Sequence, residues 1–189
     1  GPQNVHDLPE FLGQRTHNAK ANYGQSSIEI IAEINHAAHL PIKQIIQTAE
    51  QLTADGADLI DVGCDPQTDR PAWIGVFETI AALRERGIRV SVDTFHPKEI
   101  ELAAKADAEL LLSVNSTNRH LAHTWHRPGG QLLEVVAIPD TPSDLASLDE
   151  TVQILTKNSV PFRIDPILEP INFGLAQSIA RYIRVRETY

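Results

Sequence analysis

The stretch "IRVSVDTFHP", residues 88–97, decides the fold because it contains a complete transition from strand to helix. Val90 and Val92 are β-branched and alternate with polar residues, which predicts a strand that stops near Asp93. A helix should follow at once, since Thr94 can cap the free N–H groups of a first turn and Pro97 fits its opening position. The stretch therefore predicts a strand that delivers a carboxylate at its end.

The same pattern recurs along the chain from residue 28. Apolar runs of strand length occupy residues 28–34, 58–63, 88–93, 109–115, 131–138 and 162–167. Helical spacing of apolar residues lies between them, at 42–52, 76–83, 97–106, 117–126, 143–158 and 173–187. Repeated strand–helix units predict a parallel sheet with right-handed crossovers.

Two architectures are built from such units, the doubly wound open sheet and the (β/α)8 TIM barrel. The open sheet often has a glycine-rich phosphate turn after its first strand, and here that position reads "AEINHAAHLP". A barrel has eight units and commonly about 250 residues, whereas six units are visible in this chain. We predict an incomplete barrel of the TIM type over residues 28–189, preceded by a polar, unperiodic linker or arm at residues 1–27.

Composition narrows the class of protein. The chain has 189 residues, 42% of them hydrophobic, and a formal net charge of −9, which argues against nucleic acid or an anionic membrane as a partner. No run of eighteen apolar residues occurs, so we expect no membrane span. The single cysteine, Cys64, excludes an internal disulfide, and we expect a cytoplasmic protein.

Polar residues gather where the predicted strands end, which is the end that carries the chemistry in both architectures. A single Asp at such a place is ordinarily a helix cap. Its recurrence, together with Asn, predicts side chains that converge on one mouth and bind something there. The candidates are Asn35, Asp61, Asp93, Asn115 and Asp165, and for the fifth strand Glu134 and Asp140; Glu33 and Asn118 also lie near strand ends.

The sequence gives little support for a metal site or a catalytic nucleophile. No Cys/His zinc spacing or nucleophile motif occurs, and Cys64 is interpreted as a small apolar residue. The spacing of His120, His123 and His126 favours a solvated helix face over a metal site, because no carboxylate shares it. Asp and Asn without metal or nucleophile suit a 2-amino-4-oxo-pyrimidine ring, whose adjacent N–H groups one carboxylate can accept. That ring is the pterin of folate-type cofactors.

Four segments resemble, in order, the strand-end motifs of dihydropteroate synthase and its pterin-binding relatives, which include the methyltetrahydrofolate:corrinoid methyltransferases. They are "DGADLIDVGCDPQTDRP", "RVSVDTFHP", "LLLSVNSTN" and "FRIDPILEP". The resemblance covers residues 28–189 and implies a (β/α)8 barrel that binds a pterin in its mouth. It also implies that Asp93, Asn115 and Asp165 contact the pterin, that Asn35 contacts Mg²⁺ or pyrophosphate, and that Asp61 is the carboxylate of the second strand.

Departures from the synthase pattern leave three functions open. The first loop reads "HAAHLP" where a synthase has Thr-Pro-Asp-Ser-Phe, and "VNSTN" and "DPILEP" lean toward the methyltransferases, as does Glu33. The Lys and Arg of the family's last two strands would lie beyond Tyr189. The chain is then a synthase-like enzyme of folate or methanopterin-type cofactor biosynthesis, a methyltetrahydropterin-dependent methyltransferase, or a non-catalytic fragment that binds a pterin or a partner.

Two structural expectations follow. Thr94 can satisfy the turn after the third strand, so Asp93 should be free to face the mouth, within reach of Asn115 and Asp165. Two carboxylates placed in this way repel, so at least one should have a raised pKa. An incomplete barrel also leaves strand edges unpaired, which predicts a homo-oligomer.

Overall fold

The computed structural model describes residues 28–189, and the arm expected at residues 1–27 lies outside the described residues. Six short parallel strands form one sheet in which each strand pairs with the next in chain order. They are β1 (Ile31–Ile34), β2 (Leu59–Gly63), β3 (Val90–Asp93), β4 (Leu110–Val114), β5 (Glu134–Ala137) and β6 (Phe162–Ile164).

Within residues 28–189 five α-helices lie between and after the strands. They are α1 (Ile42–Ala54), α2 (Val76–Arg84), α3 (Pro97–Lys105), α4 (Leu145–Lys157) and α5 (Leu175–Thr188), and short 3₁₀ segments occupy Ala37–His39 and Arg119–Thr124. None of the helices in this described part of the chain is long and apolar enough to cross a bilayer.

The strand order confirms the barrel-type prediction. A doubly wound sheet reverses its strand order part-way, whereas this sheet runs from β1 to β6 without a reversal. The strands are shorter than predicted: the first begins at Ile31 and the sixth ends at Ile164. The molecule is an α/β protein with six successive β/α units of the TIM-barrel type.

Two sequence predictions are wrong in detail. The helix expected at 117–126 is only a 3₁₀ segment, because Gly129 and Gly130, both with positive φ, turn the chain back so that His126 pairs with Leu132. Glu134 is the first residue of β5, not a residue of its carboxyl end. There it accepts hydrogen bonds from Arg163 of β6 at 3.1 and 3.2 Å, so it belongs to the opposite end of the sheet from the predicted mouth.

Apolar residues alternate between the two faces of the sheet. Ile60, Val62, Val90 and Val92 belong to the large cluster that packs against the helices, and they are fully buried. Leu59, Leu110 and Val136 form a separate small cluster with Leu112 and Ile138. This second cluster includes residues of alternate strand positions, as expected for the inner face of a barrel.

The last unit leaves much apolar surface exposed. In α5 only Ser178 is buried, whereas Ile179 and Ile183 are 51% and 55% exposed. The segment before α5 adds Phe173, which is 77% exposed, and Ile171. Within the described residues β1 and β6 also have a strand neighbour on one side only. Exposed apolar side chains and an unpaired strand edge are both typical of an interaction surface.

We predict that the isolated chain associates with itself through the α5 surface, defined by Ile171, Phe173, Ile179 and Ile183. Light scattering after size exclusion should give a dimer or larger assembly, and the double change Ile179→Lys and Ile183→Glu should shift it toward monomer because charged side chains resist burial. Ile42→Lys, at an exposed position of α1, is the control and should leave the mass unchanged. A wild-type chain that elutes as a monomer at every concentration would refute the prediction.

Candidate functional site

The predicted site residues lie at the carboxyl end of the sheet or just inside it. Because all six strands are parallel, their carboxyl ends open on the same side. Asn35 follows β1, Asp61 lies in the middle of β2, Asp93 ends β3, Asn115 follows β4 and Asp165 follows β6.

Strand register builds two layers of side chains in this region. Glu33 pairs with Asp61 and Asp61 pairs with Ser91, which gives a deeper layer across β1, β2 and β3. Two residues further along, Gly63 pairs with Asp93 in an upper layer, nearer the carboxyl end. Residues two apart on a strand share a face, so both layers point to the same side of the sheet.

Asp61 is a buried carboxylate with one oxygen unsatisfied. Asp61 is 1% exposed, and its Oδ1 accepts a hydrogen bond from the Ser91 hydroxyl at 2.7 Å. Its Oδ2 has no hydrogen-bond partner among residues 28–189. Burial raises the pKa of Asp61 to about 7, opposed by the Ser91 hydrogen bond and supported by the charges of Asp93 and Glu33. Near neutral pH this group is therefore a mixture of acid and carboxylate.

Asp93 is half-buried and takes no part in capping. Thr94 Oγ1 accepts the His96 N–H at 3.0 Å and His96 itself caps α3, which confirms that another residue satisfies this turn. The carboxylate of Asp93 has no hydrogen-bond partner among the described residues, although the backbone carbonyl of Asp93 accepts the Cys64 N–H at 2.9 Å. Burial raises its pKa to about 6, and Glu33 adds to the rise. The raised pKa was expected, but the second carboxylate acting on Asp93 is Glu33 and not Asp165.

Asn115 and Asp165 each use one side-chain oxygen to accept hydrogen bonds from nearby residues. Asn115 Oδ1 accepts from the Thr117 N–H at 3.0 Å and the Thr117 hydroxyl at 2.7 Å. Asp165 Oδ1 accepts from the Ile167 N–H at 2.8 Å and from the Tyr182 hydroxyl of α5 at 2.5 Å. Asn115 Nδ2 and Asp165 Oδ2 remain without a partner in the described part of the chain, so each residue keeps one polar atom for a ligand.

The loop from β2 to α2 is fixed by Glu99 of α3. This fully buried carboxylate accepts from Arg70 at 2.6 and 3.1 Å, from the Thr94 hydroxyl at 2.6 Å and from the Trp73 N–H at 2.7 Å. Burial opposes ionisation, but the hydrogen bonds of Arg70, Thr94 and Trp73 outweigh it and lower the pKa of Glu99. Arg70 is consequently a structural cation.

A histidine–carboxylate cluster lies on the loops that follow β1 and β2. His39 Nε2 is 3.0 Å from Asp65 Oδ2, and His36 Nδ1 is 3.4 Å from Asp65 Oδ1. Desolvation opposes ionisation of Asp65, yet the hydrogen bonds from His36 and His39 lower its pKa. The contact joins the two loops, which carry Asn35 and Gly63 at their bases.

Metal binding was expected only at Asn35. This side chain is exposed, and no three His, Cys, Asp or Glu side chains within residues 28–189 are grouped to hold a metal ion. The described residues thus provide no ready set of protein ligands for Mg²⁺ around Asn35. Cys64 is 9% exposed, and burial followed by the charge of Glu99 raises the pKa of its thiol. Such a thiol stays protonated and packs as an apolar group.

Four further residues shape the site: Ser91 and Glu99 were not chosen from the sequence, whereas Glu33 and Asn118 were named there as residues near strand ends. Ser91 supports Asp61, Glu99 holds the loop after β2, and Asn118 Oδ1 accepts the Asn115 N–H at 3.0 Å beside the irregular end of β4. The fourth is Glu33, whose Oε1 lies 2.7 Å from where a Cβ on Gly63 would stand. A glycine inside a predicted strand is the sequence signal for such a close approach.

Comparison with known proteins shows to which family the chain belongs. Residues 33–149, more than half of the chain, match the profile of a family described as "Pterin binding enzyme". The chain belongs to the pterin binding enzyme family. The match begins at Glu33 and includes Asn35, Asp61, Asp93 and Asn115.

Two curated proteins resemble this family member in sequence. An uncharacterized protein of Methanocaldococcus jannaschii is 28% identical over 170 residues, which are 85% of this chain and 32% of that protein. The type-3 dihydropteroate synthase of Escherichia coli is 39% identical over 67 residues, 32% of this chain and 26% of the synthase. The chain thus spans about a third or less of the length of these relatives.

Solved structures of the pterin binding enzyme type have the same fold. The 7,8-dihydropteroate synthase of Vibrio fischeri superposes with a TM-score of 0.64 at 18% identity, over 85% of this chain and 69% of that one. The Burkholderia cenocepacia dihydropteroate synthase complexed with 7,8-dihydropteroate gives 0.55 at 20% identity, over 75% and 59%. At these identities the likeness concerns the fold.

We predict that Asp61 makes the protein less stable as the pH rises. Its folded pKa of about 7 lies above the ordinary value of 3.8, so its contribution to the free energy of unfolding is present below pH 4 and is lost as the pH rises through 7. The loss is on the order of 4 kcal/mol. Asp61→Asn should remove most of this decline and be more stable than wild type at pH 8, as measured by urea unfolding across the range.

Asp69→Asn is the control for this experiment, because Asp69 is an exposed carboxylate on the loop that follows β2, the strand that carries Asp61. It should follow the wild-type pH profile. Parallel profiles for wild type and Asp61→Asn would contradict the assignment of a raised pKa to Asp61.

Proposed function

We propose that this chain forms the ring-binding part of a dihydropteroate-synthase-like enzyme of folate or methanopterin-type cofactor biosynthesis. Such an enzyme condenses a pterin pyrophosphate with an arylamine. The observation that carries the proposal is Asp93, a half-buried carboxylate at the end of β3 with a raised pKa and no hydrogen-bond partner among the described residues. A carboxylate held in that state favours a ligand with N–H donors.

The polar atoms left without partners fit one edge of a pterin. Asp93 can accept two adjacent N–H groups, as a carboxylate accepts a guanidinium. Asn115 Nδ2 is a donor for a ring nitrogen or the 4-oxo group, and Asp165 Oδ2 is a further acceptor. We propose Asp93, Asn115 and Asp165 as the ring contacts, with Asp61 acting from below through its charge, since it is 1% exposed. Asn35 is proposed as a contact for the leaving group.

A second candidate function is supported by the charge of the site. Departing pyrophosphate needs cations, whereas Arg70 is committed to Glu99 and Arg163 contacts Glu134. An acidic site within residues 28–189 suits a methyltetrahydropterin-dependent methyltransferase, in which no pyrophosphate leaves. Release of pyrophosphate from a pterin pyrophosphate and an arylamine by the full-length protein supports the synthase, and methyl transfer from a methyltetrahydropterin supports the alternative.

The ring proposal predicts the effect of Asp93→Asn on binding of 6-hydroxymethylpterin. The change keeps the shape of the side chain but turns half of its acceptor pair into a donor that faces a donor. We expect a loss of about 2–3 kcal/mol in binding free energy, the scale for an unpaired buried polar group. Calorimetric titration of both forms measures it.

The matched control is Asp65→Asn, which alters a carboxylate bound to His36 and His39 on the neighbouring loop. It should bind the pterin as wild type does. Equal affinities of wild type and Asp93→Asn would exclude Asp93 as a ring contact. Absence of binding by every form would favour the non-catalytic fragment.

Tyr182→Phe should strengthen binding if Asp165 contacts the ring. Burial and Asp165 raise the pKa of Tyr182, so its hydroxyl stays a donor to Asp165 Oδ1 and withdraws negative charge from the carboxylate, whose Oδ2 is the oxygen left for a ligand. Removing that hydroxyl should tighten pterin binding severalfold in wild type and have no effect in Asp165→Asn. An equal effect in both backgrounds would show that Tyr182 acts independently of Asp165.

A further inference from the structure

Glu33 stands apart from the residues assigned so far, because its side chain leaves its own layer. It pairs with Asp61 in the deeper layer, but its carboxylate reaches over β2 into the upper layer beside Gly63. A Cβ at position 63 would stand 2.7 Å from Glu33 Oε1, so only glycine leaves room for this course. Glu33 thus reaches the strand position whose partner on β3 is Asp93.

Three acidic side chains consequently share one face of the sheet on adjacent strands, and we call this group the carboxylate recess: Glu33, Asp61 and Asp93. Asp61, in the deeper layer, has an oxygen that is buried and has no hydrogen-bond partner among the described residues. Neighbouring strands lie about 4.8 Å apart, so the charges of the three groups repel one another. Burial is the main reason why the pKa values of Asp61 and Asp93 are raised, and the charge of Glu33 adds to the rise in each case.

No described cation faces the recess to balance it. Arg70 is bound by Glu99, and Arg163 contacts Glu134 at the opposite end of the sheet. The His36 and His39 rings contact Asp65 on the loops above. Nor are the three carboxylates grouped as metal ligands in this part of the chain. The unsatisfied Asp61 oxygen and the crowding of carboxylates are instead relieved by a ligand that brings positive charge and several N–H donors.

We propose that Glu33 is a specificity-determining residue, and that the carboxylate recess selects ligands whose ring edge is a planar, guanidinium-like cation. The inference rests on the proposed function in taking this mouth as the ligand site. It adds that the chain binds its heterocycle in a protonated or otherwise positively charged form. Glu33 makes the difference, because it supplies the third negative charge and Gly63 makes room for it.

Two fragment-sized probes of similar shape test the charge preference. 2-Aminobenzimidazole is protonated to a planar guanidinium at neutral pH, and 2-aminobenzoxazole is its neutral counterpart. Calorimetric titration of wild type should show at least tenfold tighter binding of the cation. Glu33→Gln should reduce that preference about tenfold while changing the affinity for the neutral probe little. Asp69→Asn removes a charge on the loop after β2, outside the recess, and should retain the preference.

Gly63→Ala provides a second route to the same result, since its methyl group would displace the Glu33 carboxylate. It should lower the affinity for the cationic probe as much as Glu33→Ala does. In the Glu33→Ala background it should have no further effect, which separates displacement of Glu33 from general damage to β2.

The outcomes distinguish this inference from the proposed function. An unchanged charge preference in Glu33→Gln overturns the role of Glu33, even if 6-hydroxymethylpterin binds. Loss of the preference in Glu33→Gln supports the recess, and failure of 6-hydroxymethylpterin to bind the same wild-type sample would then count against the pterin proposal alone. Absence of binding of both probes by wild type overturns the recess as a ligand site.

Discussion

Pairing of parallel strands places each residue beside one partner on the next strand. In β1, β2 and β3 this pairing brings acidic side chains together. Glu33, Asp61 and Ser91 are successive partners, and Gly63 and Asp93 follow two residues later. The hydrogen-bond ladder fixes the backbone of Glu33, Asp61 and Asp93 at neighbouring positions, so their carboxylates start from one face of the sheet. The mouth of the molecule is acidic because of this register.

Two buried carboxylates show how differently the same chain treats a charge. Glu99 is surrounded by donors from Arg70, Thr94 and Trp73, and it serves to anchor a loop. Asp61 has one hydroxyl donor and one unsatisfied oxygen. A carboxylate whose acceptor positions are all occupied by protein donors makes the structure rigid but cannot accept further hydrogen bonds from a ligand. A carboxylate with an unpaired oxygen raises the free energy of the empty site, and this makes the binding of a hydrogen-bond donor more favourable.

The sequence was sufficient for those features that depend on one strand at a time. The alternation of apolar residues located all six strands, and the position of Thr94 freed Asp93 from the turn. The contacts between segments that lie far apart in the chain could not be predicted from the sequence. The course of Glu33 over Gly63 depends on the register of two strands, and the capture of Asp165 by Tyr182 depends on where α5 packs. The 3₁₀ segment at Arg119–Thr124 replaced a helix because the glycine turn behind it left too few residues.

The buried thiol of Cys64 has a practical consequence for observing this site. It is the only cysteine in the chain, it directly follows β2, and burial together with Glu99 keeps it protonated. A thiol reagent can modify it only during transient openings that expose this segment, so the rate of labelling counts those openings. The protein thus carries a built-in kinetic reporter one residue from Gly63. A ligand that closes the mouth would therefore slow the labelling of Cys64 without contacting its sulfur atom.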